Sequence, residues 1–264
     1  MQNKDKQVIT DDNSILELSI LSVIGDREDQ QDSYGYSLKE DGGIITICDG
    51  MGGYQGGKTA SSTAVNIIIS AYNDHYPCAD LTTLLLNADE KADKKIYAIK
   101  DAKGKSLKSG STAVTVVVKN GILYWCSVGD SRAYLFRNGE FAQITQDQNY
   151  KTVLDEQRSV GTITQKEYDD EAHHGEALIS FLGMGNLQLV DYNTIPFKLE
   201  KKDKIILMSD GLYKLLSNEE MAKIIENFSN ITEALEAFEL KAAKKARDLA
   251  KNRDNMTVAL IKIK

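Results

Sequence analysis

Residues 111–144 read STAVTVVVKNGILYWCSVGDSRAYLFRNGEFAQI, and this stretch decides the fold class. It holds up to four short runs that are rich in β-branched and aromatic residues, and such runs favour β-strands. Asn120-Gly121 and Asn138-Gly139 lie at two of the connections. Asn-Gly pairs adopt the positive φ angles that tight hairpin turns require. We therefore predict an antiparallel meander here, which differs from parallel strands joined by crossover helices.

The sequence on both sides of this stretch also predicts strands and helices. The further strand patterns lie at residues 15–24, 43–48, 187–199, 204–208 and 256–263. Apolar residues recur at helical spacing in two pairs of segments, which begin near Thr59, Asp80, Ser217 and Ile231. This order predicts an α+β fold in which antiparallel sheets carry helices on their outer faces. Residues 145–186 are polar and weakly periodic, so we expect short helices in a surface excursion there.

Length and composition favour one folded domain over residues 1–264. Apolar residues make up 42% of the chain and charged residues 27%, which excludes the disordered classes. The formal net charge of −7 argues against nucleic acid as a partner, and the longest apolar run, residues 122–126, is too short to cross a bilayer. Cysteines at unrelated spacings and a polar start without a signal segment predict a cytoplasmic protein.

Acidic residues recur where predicted strands give way to turns. They are Asp32, Asp49, Asp130, Asp210 and Asp254. Any one of them alone fits a turn, because Asp and Gly are common turn formers. If the fold brings them together, however, the carboxylates repel one another unless hard divalent cations such as Mg²⁺ or Mn²⁺ neutralise them. Two such ions about 4 Å apart can activate water for attack on phosphorus, so the pattern points to phosphoester hydrolysis.

Six short motifs together point to a known family. In order along the chain they are GDREDQQD (25–32), DGMGG (49–53), GST (110–112), GDSR (129–132), SDGL (209–212) and DNMT (254–257). This series resembles the metal-dependent protein serine/threonine phosphatases of type 2C, and it is most similar to their bacterial branch. The resemblance spans essentially the whole chain, and several motifs at compatible spacings are jointly far more specific than any one of them.

The resemblance implies a fold, a reaction and a metal site. The fold would be a four-layer α-β-β-α sandwich of two antiparallel sheets flanked by pairs of helices, with a flap at about 145–186. The reaction would be hydrolysis of phosphoserine and phosphothreonine in proteins by a metal-bridging water, without a covalent intermediate. Asp49 would bridge two Mn²⁺ or Mg²⁺ ions, with the Gly50 carbonyl as a further ligand. Asp210 and Asp254 would hold one ion, and Asp32 would serve the other through water.

The resemblance also extends to a weaker site, to substrate binding and to partners. Asp130 together with Asp210 would match the third metal site of the family. Arg27 would bind the substrate phosphate, a task suited to its planar, permanently charged guanidinium group. The family implies phosphoprotein substrates, a cognate serine/threonine kinase acting on the same substrates and a monomeric chain. Met51 cannot donate a proton to the leaving group, so the general acid is not identified.

Two alternatives compete with this interpretation. Residues 52–59 (GGYQGGKT) match the phosphate-binding loop G-x-x-x-x-G-K-[ST] between a strand pattern and a helix pattern, as in a nucleotide hydrolase. That alternative needs parallel strands and leaves Arg27, Asp32, Asp130 and Asp254 unexplained. The second alternative is a pseudophosphatase that binds partners without turnover, and the intact aspartates argue against it.

Overall fold

The secondary structure of this computed structural model is described for residues 6–52, 56–100 and 103–264. In chain order, the strands are β1 (Lys6–Asp12), β2 (Leu16–Val23), β3 (Ser33–Lys39), β4 (Gly42–Cys48), β5 (Gly50–Met51), β6 (Gly110–Ser111), β7 (Ala113–Lys119), β8 (Ile122–Val128), β9 (Arg132–Arg137), β10 (Glu140–Gln143), β11 (Asp191–Tyr192), β12 (Phe197–Lys198), β13 (Lys204–Met208) and β14 (Met256–Ile263). The helices are α1 (Gly56–His75), α2 (Leu81–Tyr97), α3 (Tyr150–Ser159), α4 (Gln165–Glu171), α5 (Asp210–Tyr213), α6 (Asn218–Asn227) and α7 (Ile231–Asp248), and a 3₁₀ turn spans Ala172–His174.

Two large sheets form the centre of the fold. Sheet A has the order β1-β2-β14-β13-β9-β10, and sheet B has the order β11-β8-β7-β4-β3, with β12 also paired to β8. Every strand pairing among the described residues is antiparallel. A small separate ladder joins β5 to β6. The predicted α+β class with two antiparallel sheets is confirmed.

Side-chain alternation along the strands places each sheet between two apolar layers. Ile20 of β2 and Ile205 of β13 pack between the sheets, whereas their neighbours Leu21 and Ile206 pack against α6 and α7 on the outer face of sheet A. Sheet B follows the same rule, with Ile44 facing α1 and α2. Since successive strand residues point to opposite faces, the continuous apolar runs of these strands produce the predicted four-layer sandwich.

The helix starts agree with their sequence signals. The side chain of Asp80 accepts a hydrogen bond from the Thr83 N–H at 3.0 Å, so it caps α2. Ser217 and Glu220 form the predicted capping box ahead of α6. Such caps satisfy backbone N–H groups that the first helical turn leaves without partners. These boundaries therefore depend on local chemistry that the sequence displays directly.

The prediction of one continuous meander over residues 111–144 is wrong. β7 and β8 form one hairpin in sheet B, and β9 and β10 form another in sheet A, so the chain changes sheets at residues 129–131. Both Asn-Gly turns have the predicted positive φ angles, 51° and 72° at residues 120 and 121 and 52° and 85° at residues 138 and 139. The connection between the hairpins is different, because Gly129 has a φ of +96° and lies against Thr112.

Two edge strands and the end of the polar segment also differ from the sequence patterns. β1 and β3 are not signalled by apolar alternation, because both lie at sheet edges and keep many polar residues. The strand predicted over residues 187–199 is only the two short strands β11 and β12. The segment 145–186 contains α3, α4 and the 3₁₀ turn, in agreement with the prediction of short helices. Among the described helices, none has the length and apolar character required to span a membrane.

The phosphate-binding loop alternative is not supported by the topology around residues 52–59. Gly53, Tyr54 and Gln55 lie outside the described residues. The two strands that precede them are also antiparallel to their partners, β4 to both β3 and β7, and β5 to β6. Lys58 directs its ammonium group to the Asp32 carbonyl at 2.7 Å and to Ser33 Oγ at 3.1 Å. The lysine of this motif therefore binds the backbone of a neighbouring loop.

Candidate active site

The predicted site residues lie at one end of the sandwich. Asp32 directly precedes β3, and Asp49 directly follows β4, so the antiparallel pairing of these strands brings both to the same edge of sheet B. In sheet A, Asp210 follows β13 and Asp254 lies two residues before β14. Asp130 lies in the crossing between β8 and β9, at the same end of both sheets. Strand direction therefore brings five separate loops to the same end of the sandwich.

An open cleft of about 780 Å³ lies at this end of the molecule. Its lining includes Arg27, Asp49, Gly50, Asp130, Asp210 and Asp254, and also Thr112, Glu176, Phe181 and Lys214. Asp32 is not part of this lining. It lies behind the cleft and faces a second cavity of about 410 Å³ that Lys58 also lines. The structure thus brings six of the seven predicted site residues to one cleft and places the seventh beneath it.

Asp49 is fixed by the loop that begins β7. Its N–H donates to Thr112 Oγ1 at 3.0 Å, and its carbonyl accepts the Thr112 N–H at 2.8 Å. Gly50 follows at a point of close backbone approach, where an added Cβ would lie 2.1 Å from the Gly57 carbonyl oxygen. A glycine is therefore required for α1 to start so close to this turn.

Asp32 is a buried carboxylate, with only 2% of its surface exposed. Ser209 Oγ donates to its Oδ2 at 2.8 Å, while its Oδ1 is buried without a hydrogen-bond partner. Burial raises the pKa of Asp32 to about 7, although the hydrogen bonds from Ser209 and Thr257 oppose the rise. A buried carboxylate oxygen without a partner is costly, so this atom indicates a place for a proton donor, a water or a cation.

Asn255 joins the loop of Arg27 to the loop of Asp254. The Asn255 side chain accepts the Gln31 N–H at 2.8 Å and donates to the carbonyls of Ile24 and Asp29 at 2.8 and 3.0 Å. Across this junction, Arg27 Nη2 donates to Asp254 Oδ2 at 2.6 Å. This contact raises the pKa of Arg27 above its ordinary value. A permanently charged guanidinium group is thereby held at the rim of the acidic cleft.

The carboxylates of Asp130 and Asp210 each accept a hydrogen bond from a side chain of this chain. The Tyr213 hydroxyl donates to Asp130 Oδ2 at 3.1 Å, and Lys214 Nζ donates to Asp210 Oδ2 at 2.7 Å. Lys214 also lies 2.7 Å from Glu176 of the polar segment. Burial, followed by the charge of Asp210, raises the pKa of Asp130 to about 6, and Lys214 and Tyr213 oppose this rise.

The electrostatics of the cleft favour a hard cation. Burial raises the pKa of Asp49 well above its ordinary value, and the charges of the four other aspartates add to the rise. As the side chains stand in the described residues, no three acidic, histidine or cysteine side chains surround a single point closely enough to hold a metal ion. The chemistry of the donors nevertheless fits one, because the set consists of carboxylates, with the Asp32 Oδ1 lacking a partner.

Several residues of the site were not assigned a role from the sequence. Thr112 and Asn255 fall inside two of the motifs, but their function as clamps depends on partners that are distant in the chain. The spacing of four residues between Asp210 and Lys214 could have predicted an ion pair on one helical face. Glu176 carried no such signal, because only the folding of the polar segment over the cleft brings it to Lys214.

Known proteins share this architecture and are similar over most of the sequence. The family model described as protein phosphatase 2C matches residues 17–163. The protein phosphatase PhpP of Streptococcus pneumoniae is 28% identical over 251 residues, which cover 93% of this chain and 97% of that protein. The solved serine/threonine phosphatase of S. agalactiae is 25% identical with a TM-score of 0.80, over 94% of this chain and 100% of that one.

A further solved structure carries metal. The catalytic domain of the serine/threonine protein phosphatase PstP, solved in complex with two manganese ions, superimposes with a TM-score of 0.74 at 24% identity, over 94% of this chain and 98% of that one. This structure therefore has the same fold as the present chain. With the family match covering more than half of the residues, the chain belongs to the protein phosphatase 2C family of protein serine/threonine phosphatases.

Proposed function

We propose that Asp49, Asp210 and Asp254, together with the Gly50 carbonyl and Asp32, hold two divalent ions at which phosphoserine and phosphothreonine esters of proteins are hydrolysed. The observation that carries this proposal is the convergence of these carboxylates with Arg27 at one end of both sheets. The unpartnered Oδ1 of Asp32 supports it. The two manganese ions of PstP favour Mn²⁺, and Mg²⁺ suits the same oxygen donors.

Some residues of this chain would bind the substrate, and others would position the binding and ligand side chains. Arg27, with 60% of its side chain exposed at the rim, binds the phosphate of the substrate through paired N–H donors. Asp254 orients that guanidinium group through the 2.6 Å contact. When bound, the two divalent ions would activate water and neutralise charge on the phosphoryl oxygens. Thr112 keeps Asp49 in place through its backbone, so that the carboxylate is preorganised.

The substrates and partners follow from the family and from the shape of the cleft. We propose phosphoproteins as substrates, since residues 176–178 and Phe181 form one wall of an open cleft that admits a polypeptide. We further propose a cognate serine/threonine kinase, a monomeric chain and a cytoplasmic location. The names of the relatives, which are serine/threonine phosphatases of bacteria, support the kinase proposal.

The test measures phosphate release from a phosphothreonine peptide and, in parallel, from ATP. Wild type and Asp210→Asn are both stripped of metal, and each is assayed with and without added Mn²⁺. We expect manganese-dependent release from the peptide, and a loss of more than about 100-fold in Asp210→Asn, because even residues outside the ligand set typically contribute 10- to 100-fold. The matched control is Asp248→Asn, an exposed aspartate at the end of α7, which should keep full activity.

Three outcomes would contradict the proposal. Turnover of ATP alone would favour the nucleotide hydrolase, and bound metal without turnover of either substrate would favour the pseudophosphatase. Unchanged kinetics in Asp210→Asn would show that the site has been assigned to the wrong residues.

A further inference from the structure

The carboxylates that would form a third metal site both have donors from the protein itself. Lys214 Nζ lies 2.7 Å from Asp210 Oδ2, and the Tyr213 hydroxyl lies 3.1 Å from Asp130 Oδ2. A divalent ion at this position would have to displace a hydroxyl donor and a like charge. Each donor engages Oδ2 of its carboxylate, so an ion bound between the two carboxylates would have to compete with the ammonium group and the hydroxyl.

Lys214 is placed there by the start of α5. Asp210 is the first residue of this helix, and Lys214 follows it by four residues, a spacing that puts both side chains on one face. A second ion pair, to Glu176 at 2.7 Å, holds the ammonium group from the side of the flap. The ammonium group therefore lies between two carboxylates from different segments of the chain. The lysine is thus a fixed cation.

Tyr213 is held as firmly as Lys214. The Arg132 guanidinium carbon lies 3.6 Å from the centre of the Tyr213 ring. Arg132 donates three hydrogen bonds to Asp147, from Nε to Oδ1 at 2.9 Å and to Oδ2 at 3.2 Å, and from Nη2 to Oδ2 at 2.6 Å. The ring is therefore packed against a charged group that is itself fixed. Tyr213 and Lys214, the donors to Asp130 and Asp210, are therefore each held by a further contact.

We propose that Lys214 takes the place of a third metal ion in this enzyme, so that the chain binds two divalent ions and not three. The inference rests on the proposed function, since it concerns the same acidic cleft. Lys214 acts as a positioning residue, because it neutralises Asp210 and ties that loop to Glu176 of the flap. The connection between cleft and flap is then built into the chain and does not depend on the concentration of free metal.

The test is the number of Mn²⁺ ions bound by the full chain, measured by equilibrium dialysis and by native mass spectrometry at saturating Mn²⁺. We expect two ions in the wild type and two in Lys214→Arg, which keeps the charge. Lys214→Met keeps the length of the side chain and removes the charge, and we expect a third, weaker ion there. Asp130→Asn added to Lys214→Met should return the number to two.

Each other result overturns the inference. Three ions in the wild type would show that Lys214 does not exclude the third one, while the proposed two-ion function would still stand. Only two ions in Lys214→Met would show that the lysine is not what excludes it. If that variant fails to fold, Lys214→Gln carries the same expectation, and two ions in Lys214→Gln would overturn the inference in the same way. A wild type that binds no ion would remove the proposed function and this inference together.

Discussion

At the scale of single residues, the site depends on side chains that hold loops as much as on those that face the substrate. Asn255 uses both its amide oxygen and its amide nitrogen, and it thereby connects backbone groups at Ile24, Asp29 and Gln31. These partners lie more than 220 positions away in the chain. An asparagine suits this position because its side chain is both acceptor and donor.

The phosphate-binding role proposed for Arg27 leads to a kinetic prediction. Arg27→Ala should raise KM for a phosphothreonine peptide by about 10- to 100-fold, since a hydrogen bond to a charged group contributes roughly 1.5–3 kcal/mol. We expect a smaller change in kcat. Arg27→Lys should recover only part of the loss, because an ammonium group cannot form the paired contact of a guanidinium group. Steady-state kinetics of the purified variants measure this.

The matched control for Arg27 is a neighbouring arginine. Arg253 pairs with Asp26 and Glu239 and does not line the cleft. Arg253→Ala should leave KM near the wild-type value. An equal rise in KM for both variants would mean that Arg27 acts through the stability of this region.

At the scale of elements, α2 carries two buried carboxylates that have different tasks. Asp93 accepts hydrogen bonds from the N–H groups of Gly183, Gly185 and Leu187 at 2.7, 3.0 and 3.2 Å. Gly183 and Gly185 have φ angles of +114° and +82°, which glycine adopts without strain. Since this loop directly follows Phe181 in the cleft wall, α2 fixes the end of the polar segment 145–186, which the sequence located only approximately.

The second carboxylate of α2 makes stability depend on pH. Asp89 is 1% exposed, and Cys126 Sγ donates to its Oδ2 at 3.0 Å. Burial raises its pKa to about 7 from the ordinary 3.8. The folded state therefore binds a proton more readily than the unfolded state, and this site stabilises the fold less as pH rises from about 4 to about 7. Above that window the full cost of the buried charge is present.

Asp89→Asn should remove that cost. We expect the variant to be more stable than the wild type at pH 8, by at most about 4 kcal/mol at roughly 1.4 kcal/mol per pK unit. The difference should shrink as pH falls towards about 4. Urea unfolding across this pH range measures it. Glu90→Gln, on the exposed side of the same helix, is the control, and identical pH profiles for Asp89→Asn and wild type would contradict the assignment.

At the scale of the whole molecule, the cleft is assembled from both sheets, so metal binding should stabilise the entire fold. A free Mn²⁺ concentration 100-fold above the dissociation constant adds about 2.7 kcal/mol to the free energy of unfolding. For a chain of this size we expect Tm to rise by about 5–10 °C. Calorimetry with Mn²⁺ and then with excess EDTA measures the shift and its reversal. Asp49→Asn should show little or none of it.

The same experiment tests the prediction of a single domain over residues 1–264. One core lies between the sheets and two more lie under the helix pairs. Since each sheet contributes to two of these cores, we expect one cooperative transition. Two separate transitions, of which only one responded to Mn²⁺, would show that the layers unfold independently.

The sequence by itself determined what depends on neighbouring residues. The strands with apolar runs, the Asn-Gly turns and the capping box at Ser217 have local physical causes, namely side-chain periodicity, φ preference and hydrogen bonds within one turn. The motifs also predicted the family and placed every proposed metal ligand next to a strand end. The loops of an antiparallel sheet lie at its strand ends, so the confirmed fold brings these residues to one end of the molecule.

Only the tertiary structure decided how these pieces meet. It split residues 111–144 between two sheets, because β8 pairs with β7 in sheet B whereas β9 pairs with β10 and β13 in sheet A, and both strands direct apolar side chains into the core between the sheets. It placed Asp32 beneath the cleft, Asn255 between two distant loops and Lys214 against Asp210 and Glu176. These arrangements depend on contacts between residues up to about 230 positions apart, and their free energy comes from burial and charge in the folded chain, which local sequence patterns do not display.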